Sequence, residues 1–441
     1  MTVEPVTLAI LLVAILVAAI LLRAPIGLAM AVVGAVGYVA LSGSAGLLAY
    51  LSSAWPDKFL SYDLAIIPLF ILMGHLATRS GISTALFAAS NAWIGHWRGG
   101  LAMAAVAGCA VFGSISGSSI ATASTMSKVA LPEMRKHAYS PALSSGALAA
   151  GGTLGILIPP SIVLIIYALL TEQNIVKLFL AATIPGIMAV LGFIIAIAVI
   201  VRLKPDAAPV QARAGLSVRL ASLKEIWHIV SIFVIVLGGI YGGFFTPAEG
   251  ASIGVVLTGL AGLLTRRLDL GALVGSLVDT ASASAMIFAI IFGADLFNVA
   301  IALSRLPLAL SDWFAAADVA PMTVLLLIVV FYLVMGCVMD SLSMIVLTVP
   351  VFFPTMMTLD FGLLPEHQAL WFGILTLVVV EVGMITPPVG MNLFVIAAIA
   401  RDIPTRAIFQ GTIPFILAEL TRVGLLIAFP ALSFWLVRVW S

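Results

Sequence analysis

Charge is what this sequence has least of. Of its 441 residues, 20 are Lys or Arg and 19 are Asp or Glu, 9% in all. That is too few to clothe a soluble globule in solvated side chains. The formal net charge of +1 excludes the basic footprint of a nucleic-acid binder. Cysteine is nearly absent too. Cys109 and Cys337 each sit inside an apolar run, so neither a disulfide framework nor a transition-metal set is expected. The histidines show no ligand spacing, and no nucleophile–base constellation or phosphate loop is present. These absences speak against an enzyme and against a resident cofactor. Long polar stretches are missing as well. The longest, residues 202–224, is read as a basic linker, not a domain. The N-terminal run lacks a positive leader and a clean cleavage site, so it is expected to be an uncleaved first span.

What remains is apolar. Hydrophobic residues make up 63% of the chain, and the mean hydropathy is +1.24. The bilayer is therefore the solvent, with room for about a dozen crossings at roughly 20 residues each plus loops. Two stretches interrupt this pattern in the same way: GTLGILIPPS at 152–161 and VGMITPPVGMN at 382–392. Aligning Gly155 with Gly383 also aligns Pro159-Pro160 with Pro387-Pro388, at an offset of 228 residues. A proline pair in mid-helix deletes two amide donors and clashes with the preceding turn, which predicts a broken helix in each. In lipid, the freed backbone groups survive only where protein or a wet cavity surrounds them. Matched breaks in the two halves of a chain point to a binding site.

The surrounding order repeats. A span, an interfacial helix, a polar-tipped hairpin, a broken helix and a span are expected over residues 63–201. The same series is expected over 270–441. The hairpins are placed at 100–131, with FGSISGSSIATAST at its centre, and at 321–357, with GCVMDSLS. The broken helices are placed at 141–170 and 367–400. N-terminal scaffold helices (1–62) and a linker with a central helix pair (202–269) complete the organisation. Single spans are expected at 175–201 and 409–437. Polar Ser-Gly tips in apolar segments favour re-entrant hairpins over crossings. With the N-terminus outside and hairpins not counted as crossings, fourteen of the twenty Lys and Arg residues fall inside, Arg23 among them. Lys58, Lys177, Arg305 and Arg438 fall outside, while Lys128 and Arg422 lie within apolar segments. The hairpins then enter from opposite sides, and both termini are periplasmic. The expected fold class is an all-α polytopic membrane protein with inverted repeats, two re-entrant hairpins and two broken helices, working by alternating access.

Each tip offers hydroxyls and free backbone groups: Ser114, Ser116, Gly117, Ser118 and Ser119 in the first, Asp340, Ser341 and Ser343 in the second. Helix C-terminal carbonyls and hydroxyl oxygens suit small hard cations, and helix N-terminal amides suit anions. Each repeat could thus hold one Na⁺, with an anionic substrate between the tips. Small-residue packing would equally explain the serine run taken alone. Asp340 is open to two roles, capping the hairpin's second arm or function. Glu381, a carboxylate in an apolar run, is either a proton carrier or a partner that fixes the broken helix. Glu419 and Arg422 are spaced as an ion pair. Asp279 and Asp295 are weaker candidates, and Glu249 is a first-turn helix residue.

The serine-glycine tip, GTLGILIPPS, GGFFTPAEGA and EVGMITPPVGMNLFV together resemble the large membrane (M) subunit of TRAP transporters, the tripartite ATP-independent periplasmic systems (DctM-like). The resemblance runs over essentially the whole chain. It implies a sodium-gradient-driven importer in the bacterial inner membrane, moving by an elevator motion. It also implies two partners, a small four-helix membrane subunit (Q type) and a periplasmic substrate-binding protein (P type). The cargo would be a small organic acid such as a C4-dicarboxylate or sialic acid. By the same resemblance, one sodium site pairs Ser114–Ser119 with Thr153, Gly155 and Pro159. The other pairs Asp340, Ser341 and Ser343 with Gly383, Thr386, Pro387 and Asn392. The chain is too short to carry a fused small subunit, so that partner is expected to be separate. A stand-alone Na⁺- or H⁺-coupled anion symporter of related architecture is the alternative. An intramembrane enzyme using Glu381 and Asp340 lacks any partner acid or metal ligand at helical spacing.

Overall fold

The computed structural model describes residues 4–22, 24–53, 55–56, 60–317 and 319–440. Among them every regular element is helical. In chain order these are α1 (Pro5–Leu21), α2 (Ile26–Ser52), α3 (Ile66–Arg79), α4 (Ile82–Ile94), α5 (Gly100–Ser116), α6 (Ser119–Lys136), α7 (Pro141–Leu157), α8 (Ile162–Thr171), α9 (Ile175–Leu203) and α10 (Leu216–Tyr241). There follow α11 (Pro247–Leu264), α12 (Leu270–Leu303), α13 (Leu306–Ala316), α14 (Pro321–Gly336), α15 (Ser341–Thr358), α16 (Pro365–Met384), α17 (Met391–Ile399), α18 (Thr405–Ala428) and α19 (Ala431–Trp440). By length and composition, nine of the described helices can cross a membrane, or ten if the bent pair α7–α8 counts as one span. The hairpin arms α5 and α14 and the N-terminal α1 are shorter than a full crossing.

Local chemistry explains where the helices stop. Helix α7 ends at Leu157, just before Pro159-Pro160, and α8 restarts at a 42° bend after Ser161. The Ser161 hydroxyl accepts from the Leu164 amide at 3.3 Å, taking up a donor that the break leaves free. Helix α16 ends at Met384, and α17 starts at Met391 after Gly390, whose φ of +57° suits glycine. At the first tip, Gly117 adopts φ +60° and ends α5, and the Ser118 side chain caps α6. At the second, Asp340 caps α15.

The broken helices are the core. Every residue of α7 from Leu143 and of α16 from His367 is buried, an all-round burial that only a central helix shows. By contrast α10 is mostly exposed, which suits a lipid-facing or partner-facing position. Helices α2 and α12 pack backbone to backbone: a Cβ at Gly34 would lie 2.4 Å from the Phe297 amide nitrogen. Small residues permit such contact between membrane helices.

Several expectations need correction. The stretch read as linker, residues 202–224, is helical from Leu216. Its Arg219 is buried, bonding the Ala92 carbonyl at 3.2 Å and lying over the Trp93 ring at 5.7 Å. The aliphatic stem and ring stacking let a basic side chain do what a solvated linker would not. The last span is two helices, parted at Phe429 and Pro430. Helix α6 continues to Lys136, beyond the expected end of the hairpin at residue 131. Helix α12 runs on to Leu303, absorbing the start of the expected interfacial stretch. His367 lies in the first turn of α16, stacked on Phe434. Arg23 and Lys58 lie outside the described residues.

Candidate functional site

Both hairpin tips face one cavity of about 680 Å³. Ser116, Gly117, Ser118 and Ser119 line it from the first tip, and Asp340, Ser341 and Ser343 from the second. The opposite wall comes from α2, α3 and α12, with Gly27, Ile71, His75, Thr78, Ile287 and Ile290. Gly74 of α3 allows the first tip to come close, since a Cβ there would meet the Ile115 carbonyl at 3.1 Å. The first turns of α6 and α15 begin at these tips, so helix N-termini and hydroxyls converge on the space. Such termini favour negative charge. A volume of this size suits a small organic solute.

Each tip is backed by its own break. A Cβ on Gly113 would lie 2.5 Å from Gly155 Cα, and one on Gly383 would lie 2.6 Å from Gly336 Cα. The two glycines aligned in sequence thus do the same thing, bringing hairpin and broken helix into backbone contact. Behind the first tip, Ser116 Oγ and Thr122 Oγ1 are 2.7 Å apart, and a Cβ on Gly155 would meet Thr122 Oγ1 at 2.5 Å and the Ser118 carbonyl at 2.7 Å. Ser114 and Thr153 donate to carbonyls of their own helices, Val111 at 2.7 Å and Ala150 at 2.6 Å. Thr386 does likewise to Val382 at 2.6 Å. A hydroxyl that donates its proton keeps its lone pairs, so all three stay capable of ligation. Pro159 and Pro387 lie in the breaks themselves, the latter half-buried.

The second tip is held by its own side chains. Asp340 accepts from the Ser343 amide at 3.1 Å and from the Ser343 hydroxyl, which makes it the cap of α15. Ser341 Oγ donates to Glu381 Oε1 at 2.6 Å and lies 2.7 Å from Met384 Sδ. Asn392 goes elsewhere: its Nδ2 donates to Ser119 Oγ at 2.8 Å and to the Ala149 carbonyl at 3.2 Å. It therefore sits at the first tip, not among the residues grouped with it in sequence. Ser114, Thr153, Gly155, Gly383, Thr386, Glu381 and Asn392 stand behind the cavity surface.

The remaining acidic candidates each have a partner of their own. Arg422 bonds Glu419 and the Pro185 carbonyl, the latter at 3.0 Å. Asp279 pairs with Arg79 at 2.6 Å, Asp295 accepts from Tyr50, and Glu249 completes a capping box with Thr246. Sequence reasoning passed over Thr122, His75 and Thr78. His75 carried a signal, being a titratable residue inside an apolar span; Thr122 and Thr78 carried none. A second cavity, about 490 Å³, lies between α12–α13 on one side and α8 and α15 on the other, with Asp295, Asn298 and Glu172 in its lining.

Apolar helices around two polar hairpin tips that share a cavity define a polytopic membrane transport protein. The chain belongs to the family described as tripartite ATP-independent periplasmic transporter, DctM component, which it matches over residues 13–432. It is 36% identical over 374 residues to the C4-dicarboxylate TRAP transporter large permease protein DctM of Pseudomonas aeruginosa, covering 84% of this chain and 85% of that one. It is 30% identical over 429 residues to the ectoine TRAP transporter large permease protein TeaC of Halomonas elongata, covering 97% and 98%. The sialic acid large permease SiaM of Vibrio cholerae is 29% identical over 371 residues, covering 84% and 85%. Among solved structures, the Alcanivorax borkumensis YdaH transporter shares the fold, with a TM-score of 0.62 at 17% identity over 89% of this chain and 90% of that one. The chain is a transporter permease, not an enzyme.

Proposed function

We propose that this chain is the large permease of a sodium-gradient-driven, binding-protein-dependent importer of small organic acids, in a bacterial inner membrane with both termini periplasmic. The observation that carries this reading is the single cavity shared by both tips. An anionic solute held there would meet the N-termini of α6 and α15. One Na⁺ would sit behind each tip. The first site draws on Ser114, Ser116, Gly117, Ser118, Ser119, Thr153, Gly155 and Pro159. The second draws on Asp340, Ser341, Ser343, Gly383, Thr386 and Pro387, without Asn392, which bonds the first tip. Backbone carbonyls freed by the breaks and hydroxyl oxygens are the hard ligands that Na⁺ prefers.

The order α3, α4, α5–α6, α7–α8, α9 recurs as α12, α13, α14–α15, α16–α17, α18, which supports two repeats. Basic-residue bias supports their inversion, with both hairpins re-entrant. Two cavities along the seam between α12 and the hairpin-bearing helices support an elevator motion, in which hairpins and broken helices slide past a scaffold. A separate small Q-type subunit and a periplasmic P-type binding protein would complete the system. C4-dicarboxylate, sialic acid and ectoine permeases are among its relatives, and an organic acid of the first two kinds is the cargo class proposed. Proteoliposomes holding the chain with its two partners should take up solute only with an inward Na⁺ gradient and the cognate binding protein. Uptake indifferent to the binding protein would instead mean a stand-alone symporter; uptake indifferent to Na⁺ would remove the coupling.

A further inference from the structure

The polar cluster where the two tips meet contains more acceptors than donors. Glu381 and Asn392 are both almost wholly buried, at 1% and 0% exposure. Glu381 Oε1 accepts from Ser341, but Oε2 has no hydrogen-bond partner. Asn392 Nδ2 has two acceptors, but Oδ1 has no partner. Ser119 joins them, bonded to Asn392 and lying beside the Glu381 carboxyl group. The charged groups that reach Glu381 are Glu419 and Arg422 of α18. Arg422 bonds Glu419 and the Pro185 carbonyl through its two Nη atoms, and its Nε has no partner. A buried carboxylate oxygen and a buried amide oxygen, each with no donor, are both unfavourable.

We propose that Glu381 and Asn392, with the Ser119 hydroxyl between them, form a third monovalent-cation site, which shares only that hydroxyl with the site behind the first tip. One carboxylate calls for one positive charge, and the loaded site is then neutral inside the bilayer. The donor set is all oxygen, which suits Na⁺; a proton on Oε2 meets the same need. The inference goes beyond the coupling proposed above and rests on that reading only for its role in transport, so it is tested on the chain alone.

Infrared difference spectra of the full chain in detergent, for wild type and Glu381→Gln, isolate the Glu381 carboxyl band. Sodium is first withdrawn at constant pH, and pH is then lowered in sodium-free buffer. A band that moves on sodium withdrawal assigns Na⁺, and one that moves only with pH assigns H⁺. A Glu381 band indifferent to both overturns the site. Should Glu381→Gln fail to fold, Asn392→Leu serves instead. Losing one neutral ligand should raise the cation midpoint by roughly tenfold, and an unchanged midpoint would equally overturn the proposal. Sodium-driven uptake with a silent Glu381 band sinks only this third site. A responsive band with sodium-independent uptake sinks only the coupling.

Discussion

Asn392 Nδ2 donates to Ser119 Oγ at 2.8 Å, tying the start of α17 to the first residue of α6. A residue placed just after the second break therefore holds the first hairpin tip. Removing it leaves the buried Ser119 hydroxyl and the Ala149 carbonyl short of a donor. Asn392→Ala should cost about 1–3 kcal/mol, read as a lowered thermal-unfolding midpoint in detergent. An unaltered midpoint would mean that the tip is held by packing alone.

The glycine pairs make a second test. At Gly383 an added methyl would lie 2.6 Å from Gly336 Cα, and at Gly155 it would meet Thr122 and the Ser118 carbonyl. Backbone atoms cannot step aside as a flexible side chain can, so Gly383→Ala and Gly155→Ala should each cost roughly 1–3 kcal/mol and impair uptake. Gly424 in α18 is the control, with nothing within 4 Å of its would-be Cβ. Gly424→Ala should be neutral or stabilising by up to about 1 kcal/mol. Equal effects at all three positions, by thermal unfolding, would refute the close approach.

Ser116 and Thr386 probe the two tip sites separately. Both hydroxyls are half-buried, and losing one as a ligand should weaken Na⁺ binding by about 1–3 kcal/mol, or roughly 5- to 150-fold. The sodium concentration for half-maximal uptake should rise accordingly in Ser116→Ala and in Thr386→Ala. Unchanged sodium dependence in both would relocate the sites.

The ion pair Glu419–Arg422 is buried on both sides. Breaking it with Glu419→Gln or Arg422→Met should cost about 3–5 kcal/mol, because one charge is stranded. Replacing both with Met should recover much of that loss. A double variant no more stable than either single one would show that the Pro185 contact of Arg422, at 3.0 Å, matters more than the pair.

The breaks and tips were legible in the sequence because their causes are local. Pro159-Pro160 and Pro387-Pro388 disrupt their own turns whatever surrounds them, and Gly117 ends its own helix. The partners of these features were not legible. Ser119 and Asn392 are 273 residues apart, and nothing in either segment says that they meet. Asn392 follows the second break in sequence and by resemblance belongs to the second tip, whereas the fold of α17 against α6 and α7 carries it to the first. Thr78 gains meaning only from the cavity opposite, whereas His75 stands out in its span as a titratable residue. The stretch from Leu216 reads as linker because its charges look solvated, yet Arg219 is buried against Trp93 and the Ala92 carbonyl.

That arginine makes one contact sensitive to pH. His96 Nδ1 lies 3.3 Å from Arg219 Nη2, joining the start of α10 to the turn after α4. Desolvation, followed by the charges of Arg219 and Arg213, holds the His96 pKa below its ordinary value of 6.5. A histidine with a lowered folded pKa binds fewer protons folded than unfolded, so its contribution to stability is complete above about 6.5 and falls as pH drops below that. Protonation sets a second cation beside Arg219 and loosens the contact. The melting temperature of the wild type should therefore drop more steeply between neutral pH and pH values below 6.5 than that of His96→Gln, whose side chain stays uncharged. Parallel curves for the two proteins across that interval would show that His96 does not titrate against Arg219.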